Sequence, residues 1–290
     1  MRKVSLIFNA LLCILICSNA HAQNHPADNK SLLWKISGKE MQKPSYLFGT
    51  IHLICKDEYI WTSKMKKSLE SCNEVCMEMD MDDPSIIMQI ASAMQTDGKR
   101  LEDYFTDAEY LQIERYFKDS LGISIAMFSN MKPVVLQTLL TTTGITCDST
   151  VSYEVKISET AKRLNIDITG LETPAEQIKL LDQIPTDSIV KELIEAASGK
   201  ETNNGDYAAM INAYKTQDIP ELHQLILKAK EQGDNLDAFL DERNERWIDR
   251  MAERMDQKSV FFAVGAGHLW GDKGLITLLR EQGYTVTPVK

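Results

Sequence analysis

Apolar positions change their period several times along the chain, and the changes divide it into elements. Leu32 to Ser37 and Ser45 to Ile51 are short apolar and aromatic runs on either side of Gly38-Lys-Glu-Met-Gln-Lys-Pro44. Two such runs around a Gly- and Pro-bearing connection predict a hairpin, with Pro44 confined to its loop. Trp61 to Cys72 has helical spacing. From Glu74 to Met81, Val75, Met77 and Met79 alternate with Cys76, Glu78 and Asp80, which predicts a strand carrying the two acids on the face opposite the methionines. Helical periodicity runs from Pro84 to Leu121 and recurs over Pro133 to Thr142 and Tyr153 to Leu164, before a strand over Ile166 to Leu171. Thr173-Pro174-Ala175-Glu176 reads as a helix start, because Thr can cap and Pro has no N–H to lose in the first turn. Two further helical stretches lead to a long one over Asn235 to Met255, where Leu236, Leu240, Trp247, Met251 and Met255 share a stripe. The chain closes on a strand over Ser259 to Val264, a helix over Gly271 to Gln282 with Gly283 as C-cap, and a strand over Tyr284 to Val289.

Strand-turn-helix units therefore stand at both ends of the chain. The pattern predicts an α/β fold, with a mixed central sheet in a domain over residues 31–290 and a large helical insert over about 83–165 and 185–257. Ahead of that domain, Arg2 and Lys3, the apolar run Leu6 to Cys17 and the small-x-small sequence Ala20-His21-Ala22 predict a signal peptide over residues 1–22. Residues 23–30 are polar and read as a disordered start to the exported chain. So short an apolar run predicts no stable membrane span after cleavage, and no later stretch is apolar enough to make one. Export to the periplasm or beyond the cell is the expectation.

The net charge is −10, and loss of the signal removes two basic residues. An acidic chain without a basic cluster excludes nucleic acid as partner, since neutralising phosphates dominates that affinity. Adhesion to anionic lipid is excluded on the same ground. Four cysteines survive cleavage, Cys55, Cys72, Cys76 and Cys147. They are too few for a disulfide scaffold and lack Cys-x-x-Cys spacing, so they read as structural, either bridged or as buried thiols.

The chemistry concentrates on histidine. His21 and His25 fall before the domain, and His223 lies in a helix start and reads as a surface residue. His52 and His268 share one local sequence: Tyr-Leu-Phe-Gly49-Thr-Ile-His52-Leu and Phe-Ala-Val-Gly265-Ala-Gly-His268-Leu both run apolar strand, Gly, two small or apolar residues, His, Leu. Ligands of α/β sheets bind beyond the carboxyl ends of the strands, so two such turns predict two imidazoles at one rim. Paired imidazoles suit a metal, completed by a carboxylate. Glu78 is the candidate, because an acid in mid-strand between methionines needs a metal or a cation. Asp80, Asp82 and Asp83 precede Pro84 and read as caps. Glu172, just past a strand end, reads equally as cap or site residue. Arg243 lies beside the apolar stripe of the long helix, where it is either a surface residue or a binder of a substrate carbonyl or oxyanion. No Gly-x-Ser-x-Gly elbow, phosphate-binding Gly-rich loop or His-Glu-x-x-His helix occurs, which disfavours a serine hydrolase, an NTPase or an ordinary zincin.

As a set, these pieces resemble the TraB/GumN family (TraB/PrgY/GumN), related to the Tiki metalloproteases. The matching segments are Tyr46 to Leu53, the acidic strand with Glu78, Met131-Lys-Pro133, Gly170-Leu-Glu-Thr173 with Glu176-Gln177, Arg243-Asn-x-x-Trp247, and Val264-Gly-Ala-Gly-His268-Leu-x-Gly271. They run in family order over nearly the whole exported chain. The resemblance implies a fold of the Tiki and erythromycin-esterase type. It also implies a metal-dependent hydrolase, a peptidase acting on a peptide or protein substrate. His52, Glu78 and His268 become the metal ligands, for manganese or cobalt, with zinc as a further candidate. Glu172, Arg243 and Asn244 become catalytic-site residues, with Glu78 or Glu172 as base and Arg243 facing the oxyanion. The competing expectation is a non-catalytic exported protein that binds a peptide or metal in the same crevice.

Overall fold

The computed structural model describes residues 30–290 except 97, 143, 144, 146, 200–203 and 232–236. The predicted signal peptide and residues 23–29 lie outside the described residues. Eight strands are described: β1 (Leu33–Ser37), β2 (Ser45–Thr50), β3 (Ile54–Cys55), β4 (Glu74–Met79), β5 (Thr150–Val151), β6 (Asp167–Glu172), β7 (Val260–Gly265) and β8 (Thr285–Pro288). Six of them form one sheet in the order β6-β4-β7-β2-β1-β8, and β3 pairs with β5 in a small second sheet. The predicted hairpin is the antiparallel pair β1–β2, and β8 adds to the other side of β1. The remaining contacts, β2–β7, β7–β4 and β4–β6, are parallel. The sheet is therefore mixed, with four parallel strands whose carboxyl ends share one edge.

β4 departs from the alternation its sequence shows. Glu74, Val75, Cys76 and Met77 are all buried, because a parallel central strand is covered on both faces. Helix α5 (Tyr153–Leu164) packs on β4 and β6, and α10 (Glu242–Gln257) also reaches β6. Trp34, Phe48, Tyr153, Tyr214, Trp247 and Phe261 are fully buried in this main core. A second core joins α2 (Ser85–Ala93), α3 (Asp107–Leu121), α4 (Val134–Leu140) and α7 (Thr186–Ala197), around Ile113, Phe117, Leu136 and Leu193. Helices predicted as one insert thus divide between two cores: α5 and α10, with α8 (Asn204–Lys215) and α9 (Ile219–Glu231), pack on the main one.

Two helical runs are interrupted. Between α2 and α3 the chain takes a positive φ at Gly98, bridges Gln95 to Met131 and restarts at the Thr106–Glu109 capping box. The long C-terminal helix begins as one π turn, Asp237–Asp241, before α10 proper; Asn235 and Leu236 lie outside the described residues.

Helix α10 carries Arg243, Arg246, Arg250 and Arg254 along one side, against the edge strand β6 and the start of α6 (Pro174–Leu181). Arg254 pairs with Glu74 at 2.6 Å and donates to the Gly170 carbonyl at 3.0 Å, and Arg250 donates to the Leu171 carbonyl. These side chains satisfy backbone acceptors that an edge strand otherwise offers to a stray partner. Gly170 is required for a different reason: a Cβ there stands 2.5 Å from the Asp80 nitrogen and 2.8 Å from the Met79 carbonyl carbon, both backbone atoms. Gly170→Ala is expected to lower stability by about 1–3 kcal/mol through this overpacking. A shift in the urea midpoint measures it, and an unchanged midpoint contradicts the close approach.

Candidate functional site

The parallel strands bring the candidate residues to one edge. His52 follows β2 by two residues, Glu78 is the next-to-last residue of β4, Glu172 ends β6, and His268 ends a short 3-10 turn (Ala266–His268) directly after β7. Gly49 is needed because the β7 turn crosses close by: a Cβ there stands 3.0 Å from both Ala266 Cβ and Leu269 Cδ2. Arg243 and Asn244 come from the first turn of α10, just past the π turn, and are buried. Single π turns recur at sites where a helix must re-aim its side chains.

His268 is almost fully buried, with its ring tilted against that of Trp247 at a centroid distance of 4.4 Å. Burial pushes its pKa down to about 4, so the imidazole is neutral at physiological pH. Its tautomer follows from Asn244. The Asn244 amide donates to the carbonyls of His268 at 3.2 Å and Lys273 at 2.8 Å, which turns Oδ1 toward His268 Nδ1 at 2.7 Å. Nδ1 therefore carries the proton, and the Nε2 lone pair accepts from Arg243 Nη1 at 3.3 Å, with Glu78 Oε1 nearby at 3.8 Å.

Glu78 is the hub of the cluster. Its Oε1 accepts the Gly265 N–H at 2.8 Å and its Oε2 accepts Arg243 Nη2 at 2.6 Å. Burial alone raises a carboxyl pKa, but the Arg243 guanidinium, the Gly265 amide and the His52 imidazolium override it and hold this one below the usual carboxylate range. Arg243 uses every N–H it has. Nε and Nη2 reach Glu172 at 2.8–3.2 Å, Nη2 also reaches Glu78, and Nη1 donates to the Phe239 carbonyl at 3.2 Å and to His268 Nε2 at 3.3 Å. Glu172 is fully buried, with Arg246 as a second cation at 3.4 Å. Glu172 is neither cap nor exposed base: Thr173 caps α6, and both Glu172 oxygens are taken by arginine. Arg243 is likewise no surface residue.

His52 stands apart in environment. Its side chain is 77% exposed, and Nδ1 lies 3.1 Å from Glu154 Oε1, an acid in the first turn of α5. Glu154 is itself held by Thr50 Oγ1 at 2.7 Å and Ser152 Oγ at 2.9 Å. The hydrogen bond to Glu154 outweighs desolvation and raises the His52 pKa to about 9. His52, Glu78 and Glu154 line one cavity. Sequence reasoning missed Glu154, because an acid in the first turn of a helix reads as ordinary helix-start chemistry.

Disulfide and strand pairing fix this half of the site. Cys55 is bridged to Cys147, while Cys72 and Cys76 are buried thiols. The bridge and the β3–β5 pairing tie the turn after His52 to the segment that leads into Ser152 and Glu154. Cys147→Ser is expected to cost about 2–4 kcal/mol of stability. Thermal melts with and without reductant check this, and equal melting temperatures contradict it.

Two minor expectations resolve differently. Asp83 Oδ1 accepts the Ser85 N–H at 2.8 Å, as a capping acid does, and Asp82 pairs with Lys162 at 2.7 Å. His223 is half-buried rather than on the surface: it packs against Gly271, and its Nδ1 has no hydrogen-bond partner among the described residues.

Tested as a metal site, the cluster fits by donor chemistry. It offers a neutral imidazole with a directed Nε2, a carboxylate ionised at any physiological pH, and a second imidazole at the rim. As they stand, no three His, Cys, Asp or Glu side chains among the described residues converge tightly enough to hold an ion. Arg243 Nη1 occupies the His268 lone pair, and His52 is turned to Glu154.

Comparison with known proteins matches this chain to three metalloproteases among others. It is 24% identical to "Metalloprotease TIKI2" of Danio rerio, over 89% of this chain and 61% of that protein. It is 23% identical to "Metalloprotease TIKI1" of Homo sapiens, over 93% and 64%, and 23% identical to "Metalloprotease TIKI homolog" of Amphimedon queenslandica, over 98% and 66%. The chain thus spans a little under two thirds of the length of these curated relatives. No solved structure matches it, and no described helix is long and apolar enough to cross a membrane. The model of the TraB/PrgY/gumN family matches residues 32–288, from β1 to β8 and through both Gly-x-x-His turns, and the chain belongs to that family.

Proposed function

We propose that this chain is an exported metal-dependent hydrolase of peptides, with His52, Glu78 and His268 as ligands of a divalent ion. The observation that carries the reading is shared by the two histidines: each is pinned through Nδ1, by Glu154 or by Asn244, so that Nε2 is the nitrogen a metal would take, in exchange for the proton on His52 and the Arg243 hydrogen bond on His268. Outer oxygens that orient ligating imidazoles in this way are a recurring part of metal sites. Metalloprotease relatives support the peptidase class. The Cys55–Cys147 bridge supports export, since disulfides persist in oxidising compartments. Manganese or cobalt is the proposed metal, by family resemblance.

A divalent ion bound there supplies a Lewis acid for the scissile carbonyl and lowers the pKa of a coordinated water. The protein's own contribution is electrostatic. Glu78 stays ionised across the neutral range, which suits a ligand and makes it a weak base. Glu172, itself paired with Arg246, holds the Arg243 guanidinium in place. Of the five Arg243 N–H groups, the one on His268 Nε2 is the donor that would be freed were His268 to hold a metal, and it would then face negative charge developing on the substrate. Glu154 and Asn244 act on their imidazoles and not on the substrate.

The test is turnover with metal content. Protein stripped by chelator and reloaded with manganese, cobalt or zinc is expected to cleave unstructured peptide and to lose that activity on stripping. Stoichiometric metal binding without turnover of any peptide overturns the hydrolase reading in favour of a binding protein.

A further inference from the structure

The cavity that His52 shares with Glu78 has a volume of about 240 Å³, and its walls differ from the charged cluster behind it. Met77 and Ala263 line it from the sheet, and Met79 and Met81 from the end of β4 onward. Its two acids are already engaged: Glu78 by Arg243 and the Gly265 amide, Glu154 by His52, Thr50 and Ser152. Ser152 and Gln177 complete the lining, and the larger part of the space presents thioether and methyl surface. Met81 is 43% exposed, a large apolar side chain left partly in water.

Size narrows the occupant. Pockets for whole small molecules run to about 300–1,000 Å³, and this one falls below that span. It holds one large side chain of a longer ligand, whose backbone continues across the exposed His52 rim. We propose that this cavity is the specificity subsite of the enzyme, taking an uncharged apolar side chain, of the size of leucine, methionine or phenylalanine, from a residue beside the scissile bond. This rests on the hydrolase reading above and adds the class of substrate residue. Methionine walls are unbranched and deformable, so the subsite accepts several apolar shapes in place of one. It disfavours aspartate, whose carboxylate loses its water against thioether and methyl walls and stands beside two further carboxylates, Glu78 and Glu154.

A dye-labelled Gly/Ser peptide carrying one variable residue tests this, read as kcat/KM with manganese-loaded protein and as fluorescence anisotropy with metal-free protein. Leucine is expected to exceed aspartate by about 100-fold in kcat/KM, in line with what a few methylenes contribute in a hydrophobic pocket, and to bind more tightly in the anisotropy arm. Met81→Lys, at a partly exposed position that tolerates charge, is expected to erase or reverse the preference. Ile87→Ser/Met88→Ser alters two exposed apolar residues outside the cavity and is expected to preserve it. Equal cleavage of the leucine and aspartate peptides overturns the subsite and leaves the hydrolase standing. No cleavage, with an anisotropy preference for leucine that Met81→Lys abolishes, supports the subsite and overturns the hydrolase. No cleavage and no preference overturns both.

Discussion

His268→Ala is expected to remove stoichiometric binding of a divalent ion and to bring peptide turnover down to that of the metal-stripped protein. The imidazole is neutral, buried and presented by Asn244 with Nε2 between Arg243 and Glu78, so no other described side chain replaces it. The expected loss is graded. Asn244→Leu retains the imidazole and removes the group that fixes its tautomer, and a change of that kind lowers metal affinity about 10–100-fold. His268→Ala exceeds this, because it removes the ligand itself. Competition against a chelator of known affinity gives both numbers, with circular dichroism to show that each variant is folded. Equal affinity in wild type and His268→Ala removes His268 from the site.

Arg243→Met is expected to cost about 3–5 kcal/mol of folding stability, the usual range when one member of a buried ionic network is removed. Methionine keeps much of the stem and none of the N–H groups. Glu172, with a fully buried side chain, is left with Arg246 at 3.4 Å, and Glu78 is left with the Gly265 amide. Arg243→Lys recovers little, since a point ammonium cannot span both carboxylates as the planar fork does. The double variant Arg243→Met/Glu172→Leu recovers most of the loss, because the stranded charge goes with its partner. Urea unfolding of the four proteins decides. A cost of Arg243→Met below about 1 kcal/mol contradicts the buried network.

Where structure is local, the chain's pattern announces it. The β1–β2 hairpin follows from two apolar runs around Gly38 and Pro44, α5 from the helical spacing over Tyr153 to Leu164, and the β7 turn from Gly265. Where a contact is made across the chain, the pattern is silent or misleading. The break between α2 and α3 depends on the Gln95–Met131 bridge. β3 and β5 are two residues each, too short for a period of two to register. β4 is buried on both faces because it lies inside the parallel part of the sheet, between β6 and β7, where other elements cover it. The candidate site divides likewise. The duplicated Gly-x-x-His turns single out two histidines, and an acid between methionines singles out Glu78. What joins Glu78 to Arg243, Glu172 and His268 is the strand order, which no local pattern carries. Glu154 stayed hidden because its partner His52 lies 102 residues away.

Anomalous diffraction from crystals of the manganese-loaded protein tests the central claim most directly. One ion is expected at the carboxyl edge of β4 and β7, bound by Nε2 of His52, Nε2 of His268 and the Glu78 carboxylate, with each Nδ1 still on Glu154 or Asn244. An ion bound elsewhere, or held without either imidazole, contradicts it.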